Sequence, residues 1–573
     1  LTTAGHVIAL HYHQATKHHF NRFAKSLGYL DWATQPDPFR RYAGAPVTPL
    51  SRDIVASERR YASLYERDAP GRPFDERSIA EFLRCSMGLS AWKQYRQTRW
   101  ALRVNPSSGN LHPTEAYLVR QGGVDHYAPR EHALEHRARL DRAAWDTFAG
   151  GRDGLLVALT SILWREAWKY GERAFRYCQH DTGHALAAMR LAASLLGWRL
   201  TILPRWSDSF LSTLLGLDRD SDYDGAEREE PECLAVVTSG ETAPWLSSAP
   251  EPLVEAARAA TWVGQANRLS PDHVSWPIID GVARATRYPG LRSIPNTPTP
   301  NSQPLPTPNS QGVPTPNSQE LPPPSSQELP TADSQDVPAR EVILKRRSAV
   351  AFDAKSGLAR DCFFSMLRRL HPGAPPWDAI DWPPQVHLIL FIHRVEGLTP
   401  GVYAYLRDPA VLDEWRAAMR AEFLWERQTD PNTASDPNGS TDLFLLFPSD
   451  VTWTANRLSC DQDIAADGFF SLGMIARLEP SLRERGEWFY RRLFWECGMI
   501  GQVLYLEAEA AGTRGTGIGC FYDDAVHELL ALSGDRWQSL YHFSMGVPVE
   551  DPRLTTEPGY PWEAENGVGS HFS

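Results

Sequence analysis

Residues 169–184 read KYGERAFRYCQHDTGH, and residues 484–499 read ERGEWFYRRLFWECGM. At a constant offset of 315 positions they share Gly171/Gly486, Glu172/Glu487, Arg176/Arg491 and Gly183/Gly498, and Asp181 meets Glu496. The same offset carries Gly197 onto Gly512, Arg199 onto Arg514, Asp208 onto Asp523 and Leu214-Leu215 onto Leu529-Leu530. Identities this dense over so long a run read as a tandem duplication.

The order of elements around the two stretches agrees. In the first copy the pattern predicts a helix over 78–89, a strand over 116–119, a turn at 123–129 leading into a second short strand, and a buried strand over 155–163. A long amphipathic helix over 174–196 follows, with Gly197 as its C-cap, then strand 199–203, helix 208–215 and strand 234–238. The second copy gives a helix over 360–370, strands over 387–393, 401–405 and 442–447, and a long helix over 490–511. The segment 512–521, a helix from Asp523 and a strand over 542–547 close it. The fold class expected is α+β, a sheet flanked by helices, built twice.

The chain has 573 residues, enough for two domains with arms and a linker. A hydrophobic content of 42% with 20 Trp indicates real cores, and a net charge of −12 argues against a dedicated nucleic-acid binder. No apolar run is long enough to span a bilayer, and residues 6–19 are His-rich and polar, unlike a secretory signal. Seven cysteines (85, 178, 233, 362, 460, 497, 520) are dispersed without paired spacing, which reads as reduced thiols and a cytoplasmic setting. No His, Cys or acidic spacing supports a metal site.

Residues 1–50 read as an arm: 7–27 largely helical, 28–42 (GYLDWATQPDPFRRY) irregular, its aromatics packed on a neighbouring surface. Domains are expected at 51–292 and 340–573. Between them, over 293–339, Gln303, Gln311, Gln319, Gln327 and Gln335 recur every eight residues in degenerate copies of LPTPNSQ. That composition reads as an extended, disordered linker. Some ~40 residues at ~3.1 Å each reach on the order of 100 Å, so it can join the halves in almost any arrangement.

Four stretches carry chemistry. NPSSGNLHP (105–113) packs a φ-locked proline, two hydroxyls, a permissive glycine and an amide into one turn, able to aim N–H and O–H groups at a polar ligand edge. LKRRSAVAF (344–352) offers planar guanidinium forks that suit a phosphate. GTGIGCF (515–521) alternates glycines along a strand, which weakens it unless something approaches the backbone closely. WKYGER (168–173) sets a lysine beside an aromatic, where partial desolvation can make an amine a base. Equally, Lys169 could pair with Glu172 or Asp181 on a helix face. His112, His180 and His184 read as pocket residues or as structural histidines.

With these residues in view, both halves resemble the flavin-dependent nitroreductase superfamily, and within it the SagB/ThcOx-type dehydrogenases. The resemblance implies FMN at the interface of a two-fold pair, here fused into one chain as a pseudo-dimer. It implies that Arg346, Arg347 and Ser348, with Gly517, Gly519 and Cys520, form one wall of the flavin site. Pro106, Ser107, Ser108 and Asn110 form the other. Val350 stands where the superfamily usually has a further Arg. Lys169 and Tyr170 match the Lys-Tyr motif given a catalytic role in azoline dehydrogenases.

The opposite set is missing. The first half offers only Arg67 to Phe74 for the arginine run, and Leu200 to Trp206, with Pro204, for the glycine strand. Nothing between Leu370 and His387 matches the Pro-Ser-Ser-Gly-Asn turn. The expectation is one FMN per chain. The activity expected is dehydrogenation of a small-molecule or peptide substrate, with O2 as acceptor. The alternatives are an NAD(P)H-dependent nitro or quinone reductase, or a non-catalytic flavin- or peptide-binding scaffold. The expected state is a monomer acting as a pseudo-dimer, or a higher homo-oligomer.

Overall fold

The computed structural model describes residues 3–53, 59–67, 70–291, 336–430 and 442–565. Most of the Pro/Gln repeat expected as a linker therefore lies outside the described residues.

Two seven-stranded antiparallel sheets share the order of six strands and differ in the origin of the outermost one, Val47–Pro49 from the N-terminal arm in the first and Glu426–Arg427 from within the second half in the other. The first runs Val47–Pro49, Ala133–Ala138, Gly123–Ala128, Thr114–Arg120, Leu155–Ser161, Glu230–Thr238, Arg199–Ile202. The second runs Glu426–Arg427, Leu443–Pro448, Gly401–Tyr405, Val386–Ile392, Phe470–Arg477, Trp537–Gly546, Arg514–Ile518. Both sheets place the strand that follows the long helix at one edge. The duplication seen in the residues is thus a duplication of topology.

Each copy supplies one long helix. We call the N-terminal helix Ala4–Ala15 α1, and the two long ones α2 (Ala174–Leu195) and α3 (Phe489–Ala510). Every residue of α2 is buried, because α3 and the first sheet cover it all round. The crossing is at the shared glycines. A β-carbon on Gly183 would lie 2.1 Å from the Trp495 carbonyl, and one on Gly498 the same 2.1 Å from the His180 carbonyl. Only glycine lets the two backbones approach that far. One core cluster spans both halves, and each half keeps a second cluster on the outer face of its own sheet.

The termini exchange sides. On α1, Tyr12 packs edge-on against Phe175 and Tyr490, and His13 Nε2 lies 3.0 Å from Gln538 Oε1. In return Thr555–Pro558 pairs with Leu89–Tyr95 and completes a three-stranded sheet with Thr98–Arg103.

Several expected boundaries shift for physical reasons. The arm is helical only to Ala15, because beyond it the chain is drawn onto the second half: His18 N–H donates to Asp523 Oδ2 and Lys17 Nζ to Asp524. The helix expected at 78–89 is Glu76–Ser86, capped by Asp75, and Leu89 already starts the strand exchanged with the C-terminal arm. The segment 123–129, expected as a turn, is itself the strand Gly123–Ala128, and the second short strand expected after it is Ala133–Ala138, which carries Glu135, His136 and Arg137 in succession yet is nearly all buried. The linker also ends earlier than expected. Tyr61 N–H donates to the Val337 carbonyl (2.8 Å), and a helix begins at Ala339.

Candidate functional site

A cavity of about 410 Å³ opens between the halves. One wall is the turn 105–110, and the other is Arg346-Arg347-Ser348 with the edge strand leading through Gly517, Gly519 and Cys520. Tyr170, Tyr177, His184, Tyr505 and Tyr541 also line it. Residues widely separated in the chain meet because the pseudo-two-fold lays each half's edge strand against the other half's α-helical layer.

The turn is braced internally. Ser108 donates both its N–H (3.1 Å) and its hydroxyl (3.2 Å) to Asp181 on α2. His112 N–H donates to Ser107 Oγ (2.8 Å), and Asn110 Nδ2 to the Ala101 carbonyl (2.9 Å). Gly109, Asn110 and His112 all take left-handed backbone. At Gly109 a β-carbon would lie 2.5 Å from Tyr170 Oη and 3.1 Å from Lys169 Nζ, so the glycine is where this pair meets the turn. Several donors expected to face a ligand are therefore spent on holding the turn's shape.

Arg346 and Arg347 are both nearly fully buried and make no ion pair among the described residues. Arg346 donates from Nε and Nη2 to the carbonyls of Val104 and Arg103, tying the second half to the first. Its Nη1 is buried without a partner. Arg347 reaches the Leu344, Arg346 and Ser90 carbonyls. Burial and the neighbouring Arg346 charge lower Arg347 to about 9, and burial lowers Arg346 as well. Two adjacent desolvated cations with no carboxylate in ion-pair contact among the described residues, Glu509 acting on them only from farther off, are the electrostatic signature of an anion site. Ser348 donates to Tyr505 Oη (3.1 Å), and a parallel bridge joins it to Gly515.

The edge strand's glycines admit tyrosines. A β-carbon on Gly517 would fall 1.8 Å from Tyr541 Oη, and one on Gly519 2.3 Å from the Tyr177 ring. Gly517 N–H donates to Tyr505 Oη (2.8 Å), and the Gly519 carbonyl accepts from Tyr177 Oη (3.1 Å). The close approach expected at this strand is thus made by protein side chains.

Lys169 Nζ sits 5.2 Å from the centre of the Tyr170 ring, behind the cavity wall, and makes no ion pair among the described residues. Burial and Glu166 push the Tyr170 phenol well above its ordinary value, so it stays protonated. Glu166 is fully buried with neither oxygen hydrogen-bonded, and burial raises it too. His112 and His184 line the cavity, while His180 stacks on Tyr541 (4.2 Å, 20°). Burial lowers all three, so each is neutral. Tyr177, Tyr505 and Tyr541 were not singled out from the sequence, and Asp181 was named there only as a possible partner of Lys169 and as the acid opposite Glu496. That place in the duplicated stretch was the signal for Asp181.

The pseudo-symmetric region is filled. Glu496, the counterpart of Asp181, accepts from the N–H groups of Gln385 and Val386 (3.1 Å each) and from Arg407. It thereby anchors the segment preceding Val386–Ile392, the strand equivalent to Thr114–Arg120. Where Tyr505 faces the cavity, its counterpart Arg190 makes a two-pronged pair with Asp378 (2.8 Å each). In the position of Tyr177, Arg492 lies among the rings of Tyr288, Trp382, Trp488 and Trp495. Ile202 and Pro204 replace Gly517 and Gly519.

The two-sheet, two-long-helix arrangement with a cavity at the intrachain interface defines a nitroreductase-type pseudo-dimer. The model of the nitroreductase family matches residues 91–226 and 343–547, and the chain belongs to that family. Among solved structures, a putative nitroreductase from Anabaena variabilis ATCC 29413 aligns over 95% of this chain and 99% of its own, at 19% identity and a TM-score of 0.63. The fold therefore matches across both copies. A putative nitroreductase from Ralstonia eutropha JMP134 aligns over 37% of this chain and 96% of its own, at 14% identity and a TM-score of 0.26. The E. coli microcin synthetase McbBCD complex with bound truncated pro-MccB17 aligns over 42% and 95%, at 19% identity and a TM-score of 0.25. No curated protein matches the chain. No helix among the described residues is long and apolar enough to cross a membrane.

Proposed function

We propose that the chain is an FMN-dependent oxidoreductase holding one flavin between its halves and acting as a SagB/ThcOx-like dehydrogenase on a small-molecule or peptide-derived substrate. The supporting observation is the Arg346/Arg347 pair: two desolvated guanidiniums at a cavity wall, with no carboxylate in ion-pair contact among the described residues, one keeping a free buried N–H. A phosphate monoester suits that charge and that donor. The cavity's 410 Å³ lies within the usual range for small-molecule sites of roughly 300–1,000 Å³.

Bound flavin would supply two-electron hydride chemistry. The chain's own residues would do the rest. Tyr170 Oη, kept protonated by burial, would donate a hydrogen bond that orients the substrate. The proton that leaves the substrate as it is oxidised would pass by way of Tyr170 to Lys169 Nζ behind the wall. Asp181 would hold the turn, and Tyr177, Tyr505 and Tyr541 would keep water from the strand side.

Purified protein should be yellow, with a flavin band released on denaturation. In anaerobic stopped-flow mixing, NAD(P)H should bleach that band slowly. Fast bleaching would assign the reductase direction instead. A colourless protein that FMN cannot reconstitute would leave a binding scaffold.

A further inference from the structure

A pair of cysteines at one end of the cavity takes no part in the chemistry above. Cys520 lines the cavity directly after the glycine strand, and Cys460 lies on the bend 458–462 that is tied to the 520–522 backbone beside it. Cys460 and Asp461 both hold left-handed backbone, φ +55° and +58°. For residues with a β-carbon that conformation is strained and persists only where the surroundings impose it. They do so here. Tyr522 N–H donates to the Leu458 carbonyl (2.9 Å), Gln462 Nε2 to the carbonyls of Ser459 (2.6 Å) and Cys520 (3.0 Å), and Arg457 pairs with Asp461. The strained bend delivers Cys460 to Cys520.

On its other side Cys520 meets His18. Ala24 N–H donates to His18 Nδ1 (3.0 Å), so the neutral ring carries its proton on Nε2, the nitrogen left for the sulfur. Arg173 adds positive charge nearby, while Asp523, paired with Arg173 and Arg176, has its own charge largely committed. The neighbouring Cys460 thiol first, then His18 and Arg173, hold the Cys520 thiol below its ordinary range, and Cys460 is pushed up in return. The other five cysteines are buried, and Cys520 and Cys460 are the two with partial exposure.

We propose that Cys520 and Cys460 form a thiol–disulfide exchange site, with Cys520 as attacking thiolate and Cys460 as resolving thiol, which takes a low-molecular-weight disulfide as its oxidant. The Cys520 thiolate attacks one sulfur of the disulfide; that S–S bond breaks and one thiolate leaves. Cys460 passes its proton to the departing thiolate and attacks the Cys520 sulfur, displacing the second thiolate. Two protein sulfurs are oxidised to one disulfide, and the small disulfide is reduced to two thiol equivalents. The site does not rest on the flavin assignment.

The test treats the full-length protein with oxidised glutathione at neutral pH and maps non-reduced peptides by mass spectrometry. A Cys460–Cys520 linked peptide should form while Cys85, Cys178, Cys233, Cys362 and Cys497 stay unmodified. Cys460→Ser should stall as the glutathione mixed disulfide on Cys520. His18→Leu should move the pH midpoint of Cys520 alkylation upward, slowing the reaction about fivefold near pH 5, the effect of one unit in the thiol's ionisation. The proposal is overturned if Cys520 reacts no faster than the buried cysteines, or if a mixed disulfide on Cys520 never passes to Cys460. Should Cys460→Ser fail to fold, the wild-type map alone decides between these outcomes.

Discussion

Asp523 and Asp208 occupy equivalent positions, each at the start of the helix after an edge strand and each facing the arginine of the opposite copy's long helix. Asp523 is held by Arg176 (2.8 Å), by Arg173 (2.9 Å) and by the His18 N–H, which together depress its ionisation despite full burial. Asp208 accepts the Tyr288 N–H (2.9 Å) but has a single arginine, Arg491, at 3.9 Å, because Trp488 stands where the first copy has Arg173, and Glu232 competes for the same guanidinium. Burial therefore wins, and Asp208 is raised to about 7. The difference teaches that the copies have diverged by moving charge. One side of the pseudo-two-fold keeps cations exposed to a cavity, and the other has neutralised or stacked them.

Removing Asp523 is the most severe way to test the contrast. Asp523→Ala should cost about 3–5 kcal/mol by stranding two buried guanidiniums. Asp208→Asn should cost much less when measured by denaturant unfolding near pH 8. Equal losses would mean the two sites are still energetically alike.

The arginine pair comes next. Arg346→Met or Arg347→Met should weaken flavin binding by about 2–3 kcal/mol, roughly 30- to 150-fold by fluorescence titration. The mirror change Asp378→Asn should leave that affinity alone. A comparable loss in both would break the assignment of a single working side.

Gly517→Ala presses a methyl onto Tyr541 and should destabilise by about 1–3 kcal/mol. Adding Tyr541→Phe should recover part of that loss, because it removes the clash with the hydroxyl at 1.8 Å and leaves the one with the ring carbon at 2.6 Å. Failure of the rescue would put the strain elsewhere.

The pH dependence is subtler. Asp208 has a raised folded-state value, so the folded chain binds more protons than the unfolded one between about 4 and about 7, and stability falls as pH rises through that window. Asp523 acts oppositely: its stabilisation is present above about pH 4 and is lost as pH falls. Asp208→Asn should therefore flatten the decline between about pH 4 and 7 while leaving the acid limb intact.

The smallest effect expected is from Ser107→Ala. It removes one brace of the turn, worth about 1 kcal/mol, and should loosen flavin slightly without unfolding the chain.

Much of this architecture was legible in the residues because the duplication is carried by identities that perform the same physical task twice. Gly183 and Gly498 let the long helices cross, and Arg176 and Arg491 each face the opposite aspartate. The turn, the arginine pair and the glycine strand were legible as chemistry, and their location on opposite halves implied a shared cavity. What could not be read was how their donors would be spent. Sequence gives no hint that Asp181 takes the Ser108 N–H, or that Tyr541 and Tyr177 fill the space the glycines leave. Those contacts, between residues 73, 24 and 342 positions apart, are set by packing and not by local pattern. The placement of Cys460 beside Cys520 was hidden for the same reason, since their spacing of 60 residues carries no motif.

The central claim is that one side of the pseudo-two-fold holds a flavin and the other has been filled in. Its most direct test is the ratio of released flavin to protein in fully reconstituted material, measured by absorbance after denaturation and quantitative amino-acid analysis. The account predicts one flavin per chain. A ratio near two would mean that Arg190, Asp378 and the ring cluster around Arg492 do not close the second side, and would contradict it.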